Sequence, residues 1–318
     1  MYDRKDLILQ TAILYYEKEK TQTQIAEELG ISRPTVAKFL KEAKESGIVR
    51  ISIQHKMPSF TKLSETIEES YGLNKVFIVP SKNNSNHVKE AIGQLCSDLV
   101  QKNMQLYRNI GIGWGTTVYE YVQAASYIDT PIHSVVPLIG GIGINDIKYH
   151  SNHLAFQLAE KYHCEPTYFY APAIAENPTV YQAFSSSELV RSVMQKGKDV
   201  DVAIVSIGNP TSDSTIRQLG YISNEEAKQI QQSGAVGDIL ASFYDSKGKP
   251  VQISLAEKMI GLKIKDLQAI PQTILLASGK EKIASLKAIL QQPKLVTDLI
   301  IDSELAEGIM EWEVEWEK

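Results

Sequence analysis

Gly113, Gly115, Thr116 and Thr117 fall together in NIGIGWGTTVYEYV, where a short apolar run gives way to a helical pattern. Glycines let a backbone come close to an anion. Hydroxyl and amide donors at a helix N-terminus sit where the helix dipole favours negative charge. Two further stretches have the same character: Gly140, Gly141 and Gly143 after VVPLI, and Ser278, Gly279, Lys280 and Lys282 after TILLA, the last adding cationic heads to backbone amides. Any tight strand-to-helix turn asks for glycine, so each loop alone says little, and their shared placement says more. GxxxxGK[ST] is absent and GIGWGT lacks the GxGxxG spacing, so the pattern points to a small phosphorylated ligand rather than a nucleotide.

Groups suited to catalysis are sparse. There is no GxSxG, and His150 and His153 stand i, i+3 with no HExxH and no cysteine pair nearby. Asp238, Asp245 and Glu257 could act as acids or bases, but carboxylates beside sugar hydroxyls serve equally as binding groups. Cys96 and Cys164 are the only cysteines and lack CxxC spacing, which fits a reducing compartment and offers no zinc site. Neither a metal nor a cofactor is expected, and the chain reads as no enzyme.

A different chemistry is carried by TQTQIAEELGISRPTVAKFLKEAKESGIVRI, Thr21 to Ile51. Ile25, Ala26 and Leu29 form an apolar stripe, and Gly30 ends that helix where a left-handed residue is cheap. Ser32 then suits an N-cap and Pro34 a first turn. Val36, Phe39, Leu40 and Ala43 repeat at helical spacing, leaving Arg33, Thr35, Lys38 and Lys41 on the opposite face. Two short helices joined by a glycine turn, with basic and hydroxyl groups opening the second, are what lays a recognition helix in a major groove. The plainer alternative is an αα-hairpin with a solvated charged face. On the DNA reading, Arg33, Pro34, Thr35 and Lys38 face the groove, with Arg33 and Lys38 set for guanine edges, while Lys41, Lys44 and Arg50 meet the backbone.

These groups must be positioned by more than one core, because 318 residues exceed what a single core usually organises. Residues 1–56 hold ten Lys/Arg against eight Asp/Glu within a chain of net charge −5, so the excess of positive charge falls on the segment expected to meet phosphates. No apolar run approaches the ~18–20 residues that cross a bilayer, and MYDRKDLILQ lacks the core of a signal peptide, so no membrane is expected and a cytoplasmic location is. Leu7, Ile8, Ala12 and Tyr15 predict a first helix. IVRISIQ alternates like a strand and makes the trihelical unit a winged one. His55 to Phe60 reads as a linker, and Leu63, Ile67 and Tyr71 as a helix that is a spacer or dimer contact, or else simply packs on the second domain. The divisions are 1–54 for the winged domain, 55–73 for linker and spacer helix, and 74–318 for the rest.

From Lys75 onward, apolar runs alternate with helical stretches. The strands are KVFIVP, NIGIGWG, HSVVPLIGG, TYFYAP, DVAIVSIG, VGDILASFYD, QTILLAS and LVTDLIID, and helices are expected around 89–102, after Thr116, and at 151–162, 189–196, 281–291 and 304–310. This alternation implies an α/β fold with a mostly parallel sheet covered on both faces, whose ligands bind outside the carboxyl ends of the strands. Tyr168, Phe169 and Tyr170 read as core strand, and EWEVEWEK as a solvated or interface tail.

In this order the motifs resemble those of the SorC/DeoR-type sugar-binding transcriptional regulators of bacteria. The resemblance runs through the helix-turn-helix, GIGWGTTV, VVPLIGG, Ala171–Ala173, DVAIVSIG, GAVGDILASFYDSKGKPV, IGLKIKDLQAIP, ASGKEKIASLKAIL and LVTD. It implies a winged helix-turn-helix domain followed by a Rossmann-like αβα effector domain similar to sugar-phosphate isomerases and deaminases. It further implies a homo-oligomer, dimer or tetramer, on double-stranded operator DNA, controlling carbohydrate genes in response to a phosphorylated sugar. By the family pattern Gly115, Thr116 and Thr117 with Lys282 hold the phosphate, and Gly140, Gly141, Asn152, Asp238 and Gly279 line the sugar pocket. Two departures matter. A deoxyribose-phosphate-responsive relative has a Schiff-base lysine just before the GG pair, where Ile139 stands here, and the usual AGG is Ala277, Ser278, Gly279. The rival reading is a sugar-phosphate isomerase or deaminase with an appended DNA-binding domain, which would need an acid/base pair the sequence does not display.

Overall fold

The computed structural model describes residues 4–46, 48–49, 60–81, 84–141, 147–210 and 222–311. The chain divides into two compact units, Met1–Met57 and Pro58–Lys318. Most of the expected wing strand, together with Gly47, Arg50, the linker before Phe60, Gly143 and the acidic tail, lies outside the described residues.

The first unit holds α1 (Arg4–Tyr16), α2 (Gln22–Leu29) and α3 (Arg33–Glu45). Thr21 opens α2 with a capping box: its hydroxyl accepts the Gln24 N–H at 3.3 Å, and Gln24 Oε1 accepts the Thr21 N–H at 2.9 Å. TQTQ carries that signature openly. Gly30 closes α2 at φ 65°, and Ser32 caps α3 by accepting the Thr35 N–H at 3.3 Å. The apolar stripes meet as two small clusters, Ile25 with Val36 and Leu40, and Ile8 and Ala12 with Phe39 and Ala43.

The second unit is built on a sheet. Its strands are β1 (Lys75–Val79), β2 (Asn109–Ile112), β3 (Ser134–Pro137), β4 (Glu165–Pro166), β5 (Val202–Gly208), β6 (Gly237–Ile239), β7 (Ser242–Tyr244), β8 (Gln272–Ala277) and β9 (Asp298–Asp302). Seven run parallel in the order β1-β9-β8-β5-β2-β3-β4. Side chains alternate across the sheet, so each strand feeds two cores. Val202, Ile204, Ile274, Leu276 and Ile300 pack under α5 (Ser85–Asn103), α6 (Thr116–Ala124) and α7 (Ser151–Lys161). Ala203, Val205, Leu275, Leu299 and Ile301 face α4 (Thr61–Tyr71) and the helices Glu188–Lys198, Ile283–Leu290 and Ser303–Glu311. The result is the αβα sandwich expected of such alternation.

The helix Thr61–Tyr71 buries Ile67 in this core, and its Glu68 accepts the Val76 N–H at 2.8 Å, so it packs on the second unit. VGDILASFYD is no single strand. It folds back at Leu240 (φ 47°) into the β6–β7 hairpin, which pairs antiparallel with the end of β5. TYFYAP yields no strand either, since β4 ends before it. Phe169 is buried there, while Tyr168 and Tyr170 are exposed and stacked at 5.9 Å. The helices Pro178–Ser186 and Asn224–Gln232, not expected from periodicity, open on Asn177 and on a Ser223/Glu226 capping box.

Candidate functional site

The chain leaves β2 toward β3 on one side, while β5, on its other side, leads to β8. The connections therefore diverge between the carboxyl ends of β2 and β5, the kind of place where open parallel sheets bind ligands in a crevice. The first glycine loop lies on one lip. Gly113 donates its N–H to Ile204 O at 2.9 Å, and Ser206 donates its hydroxyl to Trp114 O at 3.1 Å, so the loop is tied to β5. Gly115 has φ 109°, and a Cβ there would meet Ser206 Oγ at 3.2 Å, which makes glycine the residue this turn demands.

α6 starts directly after Gly115 with no side-chain cap. Its first-turn N–H groups have no intrahelical acceptor, and the Thr116 and Thr117 hydroxyls make no hydrogen bond among the described residues. Thr117 is buried. At its other end α6 is closed by Lys161, whose ammonium donates to the carbonyls of Val122, Gln123 and Ala125 at 2.7–2.9 Å. A buried cation at the negative end leaves the positive end as the helix's unmet pole.

On the other lip, β6 brings Asp238 opposite Gly208. Glycine is required at 208 because a side chain would run into the Asp238 carboxylate. Asp238 is 6% exposed, its Oδ1 has no partner among the described residues, and burial pushes its pKa up to about 7, with nearby Lys282 pulling it back. A buried acceptor without a donor is costly unless something else supplies one. Lys282 follows in the third loop, half-buried, its ammonium making no hydrogen bond or ion pair among the described residues. Burial and then Lys89 push its pKa down, against Glu281, Asp238 and Asp302. Asn209 ties the end of β5 to this loop, its amide donating to Glu281 O at 2.8 Å.

The remaining expected residues lie at the same edge of the sheet, but with their polar groups engaged. Gly140 donates to Ile260 O at 3.0 Å and Gly141 to Ala171 O at 2.9 Å. A Cβ on Gly140 would stand 2.6 Å from Pro172 O, so this glycine permits close backbone packing rather than offering an amide. Gly279 gives its N–H to Asp302, and Asn152 exchanges two hydrogen bonds with the backbone of Phe169, at 2.8 and 3.1 Å. Lys89, one turn into α5, joins Lys282 electrostatically and was not flagged by any motif. Asp245 is spent on the turn amides of Lys247 and Lys249, and Glu257 is exposed.

In the first unit Arg33, Pro34, Lys38 and Lys41 are exposed along α3 and Thr35 is half-buried, its hydroxyl 2.8 Å from Ser32 Oγ. The buried residues of α3 occupy the opposite face, so a basic face stands free of the core. Lys44 instead lies over the Tyr16 ring at 6.0 Å.

A family profile described as "Putative sugar-binding domain" matches residues 55–311, and one described as winged helix-turn-helix DNA-binding matches residues 12–50. The chain belongs to the SorC/DeoR family of sugar-binding transcriptional regulators. Among its relatives, the deoxyribonucleoside regulator of Bacillus subtilis is 29% identical over 310 residues, covering 97% of this chain and 98% of its own. The full-length sorbitol operon regulator SorC of Klebsiella pneumoniae superimposes with TM-score 0.75 and 29% identity over 96% of this chain and 99% of its own. A DeoR-family regulator from Listeria monocytogenes gives TM-score 0.74 and 28% identity over 80% of this chain. Its relatives are regulators and not enzymes, so this SorC/DeoR-family chain is a transcriptional regulator with a sugar-binding effector domain.

Proposed function

We propose that this regulator binds the operator of a carbohydrate-utilisation operon through α3 and that a phosphorylated sugar in the β2/β5 crevice sets its affinity. The observation that carries the reading is the uncapped first turn of α6, with the free Thr116 and Thr117 hydroxyls, on one lip, and the partnerless Asp238 oxygen and Lys282 on the other. Phosphate suits the amides and the ammonium. A sugar hydroxyl suits Asp238. One named relative is a deoxyribonucleoside regulator and another a sorbitol operon regulator, which agrees with a polyol ligand. Binding is non-covalent at the position before Gly140, where Ile139 has no nucleophile.

A ligand moves operator affinity only by preferring one state of the protein, and DNA must then alter ligand affinity by the same factor. We place that equilibrium in a homo-oligomer, since two recognition helices one DNA turn apart read a palindromic site. The test is a thermal-shift screen of the full chain with pentose and hexose phosphates, followed by gel shifts on the upstream region of its own operon. Thr116→Val should weaken the responding sugar phosphate by about tenfold, the worth of one charge-assisted hydrogen bond, while leaving operator binding intact. Full ligand affinity in that variant would remove Thr116 from the phosphate site. Turnover of any of the sugar phosphates would instead favour the isomerase or deaminase reading.

A further inference from the structure

A cavity of about 200 Å³ has walls that include Tyr181, Ser185, Met194, Lys198, Ile260 and Lys265, none of them residues of the glycine loops. That is room for about seven waters. Two features separate it from a packing defect. The side chains of Tyr181, Ser185 and Lys265 make no hydrogen bond or ion pair among the described residues, so three polar groups border it unspent. Its charge is also one-sided. Lys198 and Lys265 line it against a single acid, Asp266, which is already taken by Lys198 at 3.1 Å and by the backbone N–H of Lys263 at 2.9 Å, while the Lys263 ammonium is spent on the carbonyls of Ala241, Ala256 and Met259. Met194 and Ile260 supply an apolar wall.

The floor of the cavity also backs the loop that follows β3. Ile260 accepts the Gly140 N–H at 3.0 Å, Leu262 donates to Leu138 O at 2.9 Å, and Ile260 donates to Ala173 O at 2.8 Å. A Cβ on Gly261 would stand 2.9 Å from Ile139 Cγ1, so the two segments touch along their length. Whatever presses on Ile260 and Gly261 presses on the loop that carries Gly140 and Gly141.

We infer that this cavity is a second binding site, for a small organic carboxylate. Its charged group meets Lys265 and Lys198, its body lies on Met194 and Ile260, and its occupancy changes effector affinity through Gly140. The coupling rests on the effector-site reading proposed above; the cavity as a site does not. The test follows 4-fluorobenzoate by fluorine NMR with the full-length protein. Its carboxylate could also seek the N-terminus of α6, so Thr116→Val serves as the control for binding there. Saturable broadening with a Kd on the order of 1 mM or tighter is expected. Ser185→Trp, which fills the cavity, and Lys265→Gln, an exposed change that leaves the core alone, should each weaken it severalfold or more, and Thr116→Val should not. Absence of saturable binding, or binding indifferent to both cavity variants, overturns the site. Inorganic phosphate, titrated with and without saturating 4-fluorobenzoate, reports the coupling, and a Kd unchanged within error overturns it. Phosphate binding unaffected by Thr116→Val would sink the effector-site reading alone, because the probe's sensitivity to Ser185→Trp would still stand.

Discussion

Gly279 donates its backbone N–H to Oδ2 of Asp302 at 2.7 Å, joining the carboxyl ends of β8 and β9. The other oxygen of this buried carboxylate takes the Ser81 hydroxyl at 2.8 Å and the Leu305 N–H at 3.1 Å. Three donors converge on one acid, and the loop they fix is the one that carries Lys282. Asp302→Asn keeps the shape but turns an N–H toward at least one of those donors. We expect it to destabilise the fold by roughly 1–3 kcal/mol and to weaken phosphate binding. Urea unfolding and phosphate titration of the variant check this, and a midpoint equal to wild type would show that the three bonds do not hold the loop.

Asp238 makes stability depend on pH in a direction opposite to that of an ion-paired carboxylate. Its pKa in the folded chain is raised to about 7, against about 3.9 in the unfolded chain. Between those values the unfolded state gives up its proton and the folded state keeps it. Stability is therefore full below about pH 4 and falls as pH rises to about 7, by on the order of 4 kcal/mol. Asp238→Asn cannot ionise, so its stability relative to wild type should climb across that window and level off above it. Urea unfolding of both proteins from pH 4 to 8 measures the difference, and a pH-independent gap would mean that Asp238 is solvated.

Gly93 sets how closely α5 approaches α6. A Cβ there would lie 2.6 Å from both Glu120 O and Tyr121 N, and those backbone atoms cannot rotate away. Alanine is the better helix former by about 1 kcal/mol, yet overpacking costs about 1–3 kcal/mol, and the clash should win. Gly93→Ala should thus lower Tm and weaken phosphate binding together, because the displaced helix carries Thr116 and Thr117. A raised Tm would show that the two helices can separate without cost.

Where the sequence spoke clearly, one local rule was enough. Val36, Phe39, Leu40 and Ala43 mark the buried face of α3 by spacing alone, and the two-sided cores of β5 and β8 follow from short apolar runs between helical stretches. The β6–β7 hairpin was hidden because it turns at Leu240 and Ala241, without the glycine, asparagine or aspartate that usually announces such a turn. Which donors remain free was hidden for a different reason. Gly140 and Gly279 read as amide sources, but their partners Ile260 and Asp302 arrive from strands and loops that only the fold brings near. Asp238 was visible as a carboxylate. Its solitude comes from the pairing of β6 with β5, which no periodicity reports.

On α3 the division between reading and holding DNA can be measured residue by residue. Lys38 and Lys41 are both exposed, and neither belongs to the small clusters that contain Val36, Phe39 and Leu40, so truncating either should leave the unit folded. A lysine on a phosphate releases about one counterion. Lys41→Ala should therefore reduce the slope of log affinity against log salt by about 0.9 and weaken all sequences alike. A lysine on a guanine edge acts locally, and Lys38→Ala should erase about 1–3 kcal/mol of discrimination at one G·C pair of the operator. Fluorescence anisotropy with operator duplexes substituted one base pair at a time, over a range of salt, separates the two. If Lys38→Ala weakens every duplex equally and lowers the slope, Lys38 holds the backbone, and base reading falls to Arg33.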